Sequence, residues 1–125
     1  MRIVILGAGQ VGSSVAQSLV SEKNDITVVD TDRTCLENLQ IRYDLRTVVG
    51  NAVLPLTLRD AGIEDADMLI ALTKSDQTNL VACKLAHSLF HVPARIALLG
   101  VDEIAPGSEN LAQIAVDRDI GTLAG

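Results

Sequence analysis

Three glycines, Gly7, Gly9 and Gly12 in "GAGQVG", stand at the spacing GxGxxG directly after the apolar run "RIVIL" and before a stretch with helical periodicity. In that setting each has a chemical use. Gly7 can take the positive φ of a tight turn, Gly9 lets the backbone approach a diphosphate with no Cβ in between, and Gly12 lets helix and strand pack closely. The helix start then presents free N–H groups and partial positive charge to an anion. The same chemistry calls for a carboxylate at the end of the next strand to hold ribose hydroxyls, and Asp30 stands 23 residues after Gly7. With Asp32 nearby, Asp30 also repels a 2′-phosphate, which favours NAD(H) over NADP(H). Arg33, set among these acids, reads as a solvated surface charge. The glycine pattern alone is a weak signal; strand, helix and acid together make it a dinucleotide cradle.

Ligands of open α/β sheets sit beyond the carboxyl ends of the strands, so the segments "GNA" (50–52) and "TKSD" (73–76) are the other candidate walls. Asn51 can bond an adenine edge or a ribose, and Thr73 can bond the ribose or phosphate region. Asn51 can equally make an Asx turn, and Thr73 to Ser75 can equally cap a helix. Lys74 can meet phosphate charge. His87 and His91 share an i, i+4 spacing without a third ligand or an acid in register, so they read as surface or helix-end residues and no metal site is expected. Cys35 and Cys83 are isolated thiols with no CxxC spacing and read as small hydrophobes. No nucleophile elbow, phosphate loop of the GKS type or other catalytic set is expected.

These residues need a scaffold, and the chain supplies one. Runs rich in β-branched and aliphatic residues recur at 2–6, 26–30, 46–50, 68–72 and 95–99 and predict five buried strands. Between them helical spacing appears at Val11, Val15 and Leu19, at Leu36, Leu39 and Ile41, at Leu54, Leu58 and Ala61, and at Val81, Leu85 and Leu89. Strand and helix alternate through short connections, so the expected fold is α/β, a doubly wound parallel sheet of Rossmann type in a single domain. Asp32 is expected to cap the second helix, Pro55 to open the third and Gly62 to close it, and Ser75 or Asp76 to cap the fourth. Residues 1–100 are read as the nucleotide-binding domain and 101–125 as an extension whose pattern allows one helix near 108–117 and no strand.

Composition agrees with this. The 125 residues suit one core, and with 48% hydrophobic and 2% aromatic residues that core is built from Val, Ile, Leu and Ala. A net charge of −6, without a basic cluster, argues against nucleic acid. No apolar run approaches the roughly 18 residues that cross a bilayer, and a soluble, cytosolic chain is expected.

The stretches "MRIVILGAGQVGSSVAQSLVSEKNDITVVDTD", "DLRTVVGNAVLPLTLRDAG", "EDADMLIALTKSDQTNLVACKLAHSLF" and "PARIA" resemble the RCK (KTN) nucleotide-binding domains of bacterial Trk potassium-uptake regulators, over roughly residues 1–97. The resemblance implies a regulatory domain that binds NAD(H), with ATP or ADP as a second ligand class. It further implies a homo-oligomer, dimer or ring, that works at the inner face of the membrane by gating a potassium transporter subunit. Carried over residue by residue, the implied nucleotide contacts are Gly7, Ala8, Gly9, Gln10 and Val11, then Asp30, Asn51, Thr73 and Lys74. Members that it resembles usually continue with an arginine after "RIA"; this chain has Leu98 there. The alternative is the cofactor half of an NAD-dependent oxidoreductase, which would need a substrate lobe and an acid or base beside the nicotinamide. Neither is seen in the sequence, so the expectation is a sensor that is not an enzyme.

Overall fold

The computed structural model describes residues 1–20, 22–100 and 114–117. Its elements run β1 (Arg2–Leu6), α1 (Gln10–Val20), β2 (Asp25–Asp30), α2 (Arg33–Arg42), β3 (Arg46–Val49) and α3 (Pro55–Asp60). After a single 3₁₀ turn, Ile63–Asp65, come β4 (Met68–Ala71), α4 (Asp76–Ser88), β5 (Ala94–Leu98) and β6 (Ile114–Asp117). The sheet order is β3-β2-β1-β4-β5-β6; the first five strands are parallel and β6 lies antiparallel against β5. The chain runs outward from β1 to β3, then returns to the other side of β1 with β4. The resulting switch point between β1 and β4 is where such sheets open a crevice.

Alternation along the strands explains why both faces are covered. Val4, Leu6, Val29, Leu69 and Ala71 face a core shared with α3 and α4, while Ile3, Ile5, Ile26, Val28 and Ile70 face one shared with α1 and α2. Ile5, Leu6, Val28, Val29 and Leu69 are fully enclosed, and burial of each such side chain contributes about 1.5–3 kcal/mol. The caps fall where the sequence puts them. Asp32 accepts the N–H groups of Thr34 and Cys35 at 2.9 and 3.3 Å, Ser75 accepts that of Thr78 at 3.1 Å, Pro55 opens α3, and Gly62 follows it at φ 81°.

Two expectations are corrected. The buried stripe of α4 is Asn79, Ala82, Cys83 and Ala86, whereas Val81 and Leu89 are exposed and Leu85 half-buried. Small residues face β4 and β5 there because the helix packs close to the sheet, so the large aliphatics misled the choice of face. The region 108–117 ends in a strand and not a helix, because Ile114–Asp117 pairs antiparallel with the open edge of β5; residues 108–113 lie outside the described residues. No helix among the described residues is long and apolar enough to cross a membrane.

Candidate functional site

β1 ends at Leu6 and the chain turns through the glycines into α1, with Gln10 and Val11 exposed in its first turn. Gly7 takes φ +107°, and a Cβ there would sit 2.7 Å from the carbonyl oxygen of Leu72. At Gly12 a Cβ would sit 1.9 Å from the carbonyl oxygen of Gly7. Gly9 differs in kind, because a Cβ on it meets no heavy atom within 4 Å. Two glycines therefore close the turn and the third leaves free space above it, which is the shape a diphosphate cradle needs. The turn is also tied down. Gly7 N–H donates to Val29 O at 2.7 Å, and the Ser13 hydroxyl donates to Ala8 O at 3.0 Å.

Asp30, half-buried at the end of β2, accepts the Ala8 N–H on Oδ2 at 2.7 Å and the Asp32 N–H on Oδ1 at 2.8 Å. The carboxylate thus clasps the glycine turn to the β2–α2 turn. Each oxygen keeps a lone pair beyond these bonds, so the clasp leaves capacity for ribose hydroxyls. Sequence reasoning gave Asp30 to the ligand and missed the clasp, which is a long-range contact that no local pattern shows.

Asp32 presents a second carboxylate on the same rim. Its oxygens accept the Cys35 Sγ–H at 3.3 Å as well as the helix N–H groups, and these bonds, led by the thiol, lower its pKa below the ordinary aspartate value. The reciprocal effect raises the Cys35 thiol, first through that hydrogen bond and then through desolvation and the charges of Asp32 and Asp30, against the opposing charge of Lys74. Lys74 itself is exposed in the β4–α4 turn. Asp32→Ser keeps a capping oxygen and removes the charge, so the thiol pKa should fall. Iodoacetamide labelling of Cys35 at about pH 8 should then quicken about threefold or more, and an unchanged rate would contradict this account of the rim.

On the remaining walls the structural readings of Asn51 and Thr73 both appear. Asn51 Oδ1 accepts the Val53 N–H at 3.0 Å in an Asx turn, with the side chain exposed beyond β3. Thr73 Oγ1 accepts the Ser75 N–H at 3.3 Å and donates to Asn79 Oδ1 at 2.7 Å. Leu98, which follows "RIA", is a core residue at 2% exposure. This wall of the crevice therefore carries no cation at position 98. His91 lies past the end of α4 at φ 54°, so it does not share a helix face with His87. No group of three His, Cys, Asp or Glu residues suited to a metal occurs among the described residues.

Asn79 is the residue the sequence reading missed. It is fully buried in the first turn of α4, where Oδ1 accepts the Thr73 N–H and hydroxyl, and Nδ2 donates to Thr73 O at 3.1 Å and Leu98 O at 2.7 Å. The only local signal is a polar residue in phase with Ala82, Cys83 and Ala86. A hollow of about 430 Å³ lies at the opposite, amino-terminal end of the strands, bordered by residues such as Arg2, Asp25, Thr27 and Arg46. No residue of the glycine turn borders it, so the crevice is marked by its chemistry and not by size.

Parallel strands reversing order at β1 and β4, with a glycine turn and an acidic clasp at the reversal, define a Rossmann-like domain. The chain belongs to the TrkA-N domain family, whose model matches residues 3–118. It is 57% identical over 97 residues to the Trk system potassium uptake protein TrkA of Halomonas elongata, covering 78% of this chain and 21% of that protein. To the protein of the same name from Vibrio alginolyticus it is 50% identical over 111 residues, covering 89% of this chain and 24% of that one. The solved TrkA-N domain of the inner membrane protein ybaL from Escherichia coli is 26% identical with a TM-score of 0.65, covering 70% of this chain and 64% of that one. The chain thus spans between a fifth and a quarter of the length of the two curated relatives.

Proposed function

We propose that the chain is an NAD(H)-binding, ligand-sensing domain of a potassium-uptake system, in which the nucleotide is held and released unchanged. The observation that carries this reading is the contrast among the glycines: Gly7 and Gly12 are sterically locked while the space over Gly9 is open, at a helix start beside a carboxylate clasp. The proposed ligand contacts are the Gly7–Gly12 turn (Gly7, Ala8, Gly9, Gln10, Val11 and Gly12) for the diphosphate, Asp30 for the ribose, and Asn51, Thr73 and Lys74 along the other walls. ATP or ADP fits the same cradle as a second ligand class. Residues 1–100 form the binding unit in this reading, with 101–125 an extension. The names of the curated relatives support a place in potassium uptake; in this reading the role there is regulatory, with a membrane transporter subunit and further copies of the domain as partners on the cytoplasmic side. Sensing then requires that the nucleotide bind two states of the assembly with different affinity.

Calorimetry with NADH, NAD+, NADPH, ATP and ADP tests the reading. NADH should bind and NADPH should bind about tenfold or more weaker, because Asp30 and Asp32 repel the 2′-phosphate. Asp30→Ala should weaken NADH and narrow that gap. An Asp30→Ala domain that binds NADH as the original does would overturn the assignment of Asp30.

A further inference from the structure

Two side chains at the start of α4 reach across to the end of β5, and the nucleotide reading gives neither a role. Asn79 joins the backbone of Thr73, after β4, to the carbonyl of Leu98, the last residue of β5, using both donors and both acceptor positions of its amide. Asp76, exposed in the first turn of the same helix, accepts the Gly100 N–H on both oxygens at 2.8 and 2.9 Å. Gly100 itself sits at φ 74°, a left-handed backbone that suits glycine and aims its N–H at that carboxylate. The crevice wall at Thr73, the start of α4 and the chain leaving β5 are therefore one hydrogen-bonded unit, fixed further to β1 through Leu72 N–H donating to Leu6 O at 2.7 Å.

We propose that Asp76 and Asn79 are positioning residues that couple nucleotide occupancy at Thr73 to the backbone leaving β5 at Gly100. The proposal rests on the nucleotide reading and extends it by naming the route out of the site. Asn79 sets the Thr73 backbone and hydroxyl, and hence the wall a nucleotide meets. Asp76 holds the next segment of chain against the same helix turn. A ligand that steadies Thr73 steadies the first turn of α4, and the Gly100 amide is the nearest outward point at which that is felt. Local opening of such peripheral hydrogen bonds is what amide exchange measures.

The test is backbone amide exchange at Gly100, with and without saturating NADH, in the 125-residue chain and in Asp76→Ala and Asp76→Asn. In the original chain NADH should slow Gly100 exchange by about tenfold. Asp76→Ala should abolish that response while NADH affinity stays within about threefold, since Asp76 is not placed on the ligand. Asp76→Asn keeps an accepting Oδ1 and should restore most of the response, a rescue that a generally loosened helix would not give. NADH binding with Gly100 unresponsive, or responding equally in Asp76→Ala, overturns the coupling and leaves the nucleotide reading standing. The absence of binding by NADH, ATP and ADP alike overturns both.

Discussion

Replacing Gly12 with alanine is expected to lower the melting temperature by about 10 °C or more, whereas Gly9→Val should leave it nearly unchanged and abolish nucleotide binding. The two positions lie three residues apart in one motif, and the difference between them is steric. A methyl on Gly12 would fall 1.9 Å from Gly7 O and 2.8 Å from Gly7 C, so backbone must move and not merely a side chain. That backbone is held on both sides, by Gly7 N–H on Val29 O and by Leu72 N–H on Leu6 O. Overpacking of this kind costs about 3 kcal/mol or more, a large part of the roughly 5–15 kcal/mol that holds a domain folded. On Gly9 the added atoms occupy open space, so the change in stability should stay within about 1 kcal/mol while the affinity for NADH falls about a hundredfold or more. Thermal melts and calorimetry on the two variants check both halves. A Gly12→Ala protein that melts like the original contradicts the packing account, and a Gly9→Val protein with undiminished affinity contradicts the cradle.

Asn79→Leu is the second large effect. The substitution removes the amide from a fully buried position and leaves the Thr73 N–H, Thr73 O and Leu98 O without that partner. Each orphaned buried polar group costs about 1–3 kcal/mol, and the added apolar volume recovers only part of the sum, so the expected loss is about 3–4 kcal/mol. Urea denaturation measures it directly. Because Thr73 loses its support as well, the affinity for NADH should fall along with stability. A loss below about 1 kcal/mol would show that water or backbone shifts replace the amide readily.

How far the sequence predicts the molecule depends on the range of the interactions involved. The strands follow short apolar runs, and all five expected ones form within a residue of their expected bounds; β1 is Arg2–Leu6 and β5 begins at Ala94 where Arg95 was expected. The caps at Asp32, Ser75 and Pro55 are local chemistry and were equally readable. The face of α4 was not, because its buried stripe is small and polar and makes sense only against β5, nineteen residues from Asn79 to Leu98. The same holds for Asp30 and Ala8, 22 residues apart, where the sequence identifies the acid but not the turn it holds. β6 escaped because its partner strand, and not its own pattern, decides for strand over helix.

The central claim is that this domain holds a dinucleotide in the Gly7–Gly12 turn without consuming it. The most direct measurement is a titration with NADH in which heat and the nucleotide's own absorbance are followed together, and the nucleotide is recovered afterwards. The account predicts saturable binding that Gly9→Val abolishes, and NADH recovered intact. Absence of binding, or steady oxidation of NADH that requires the folded domain, would contradict it.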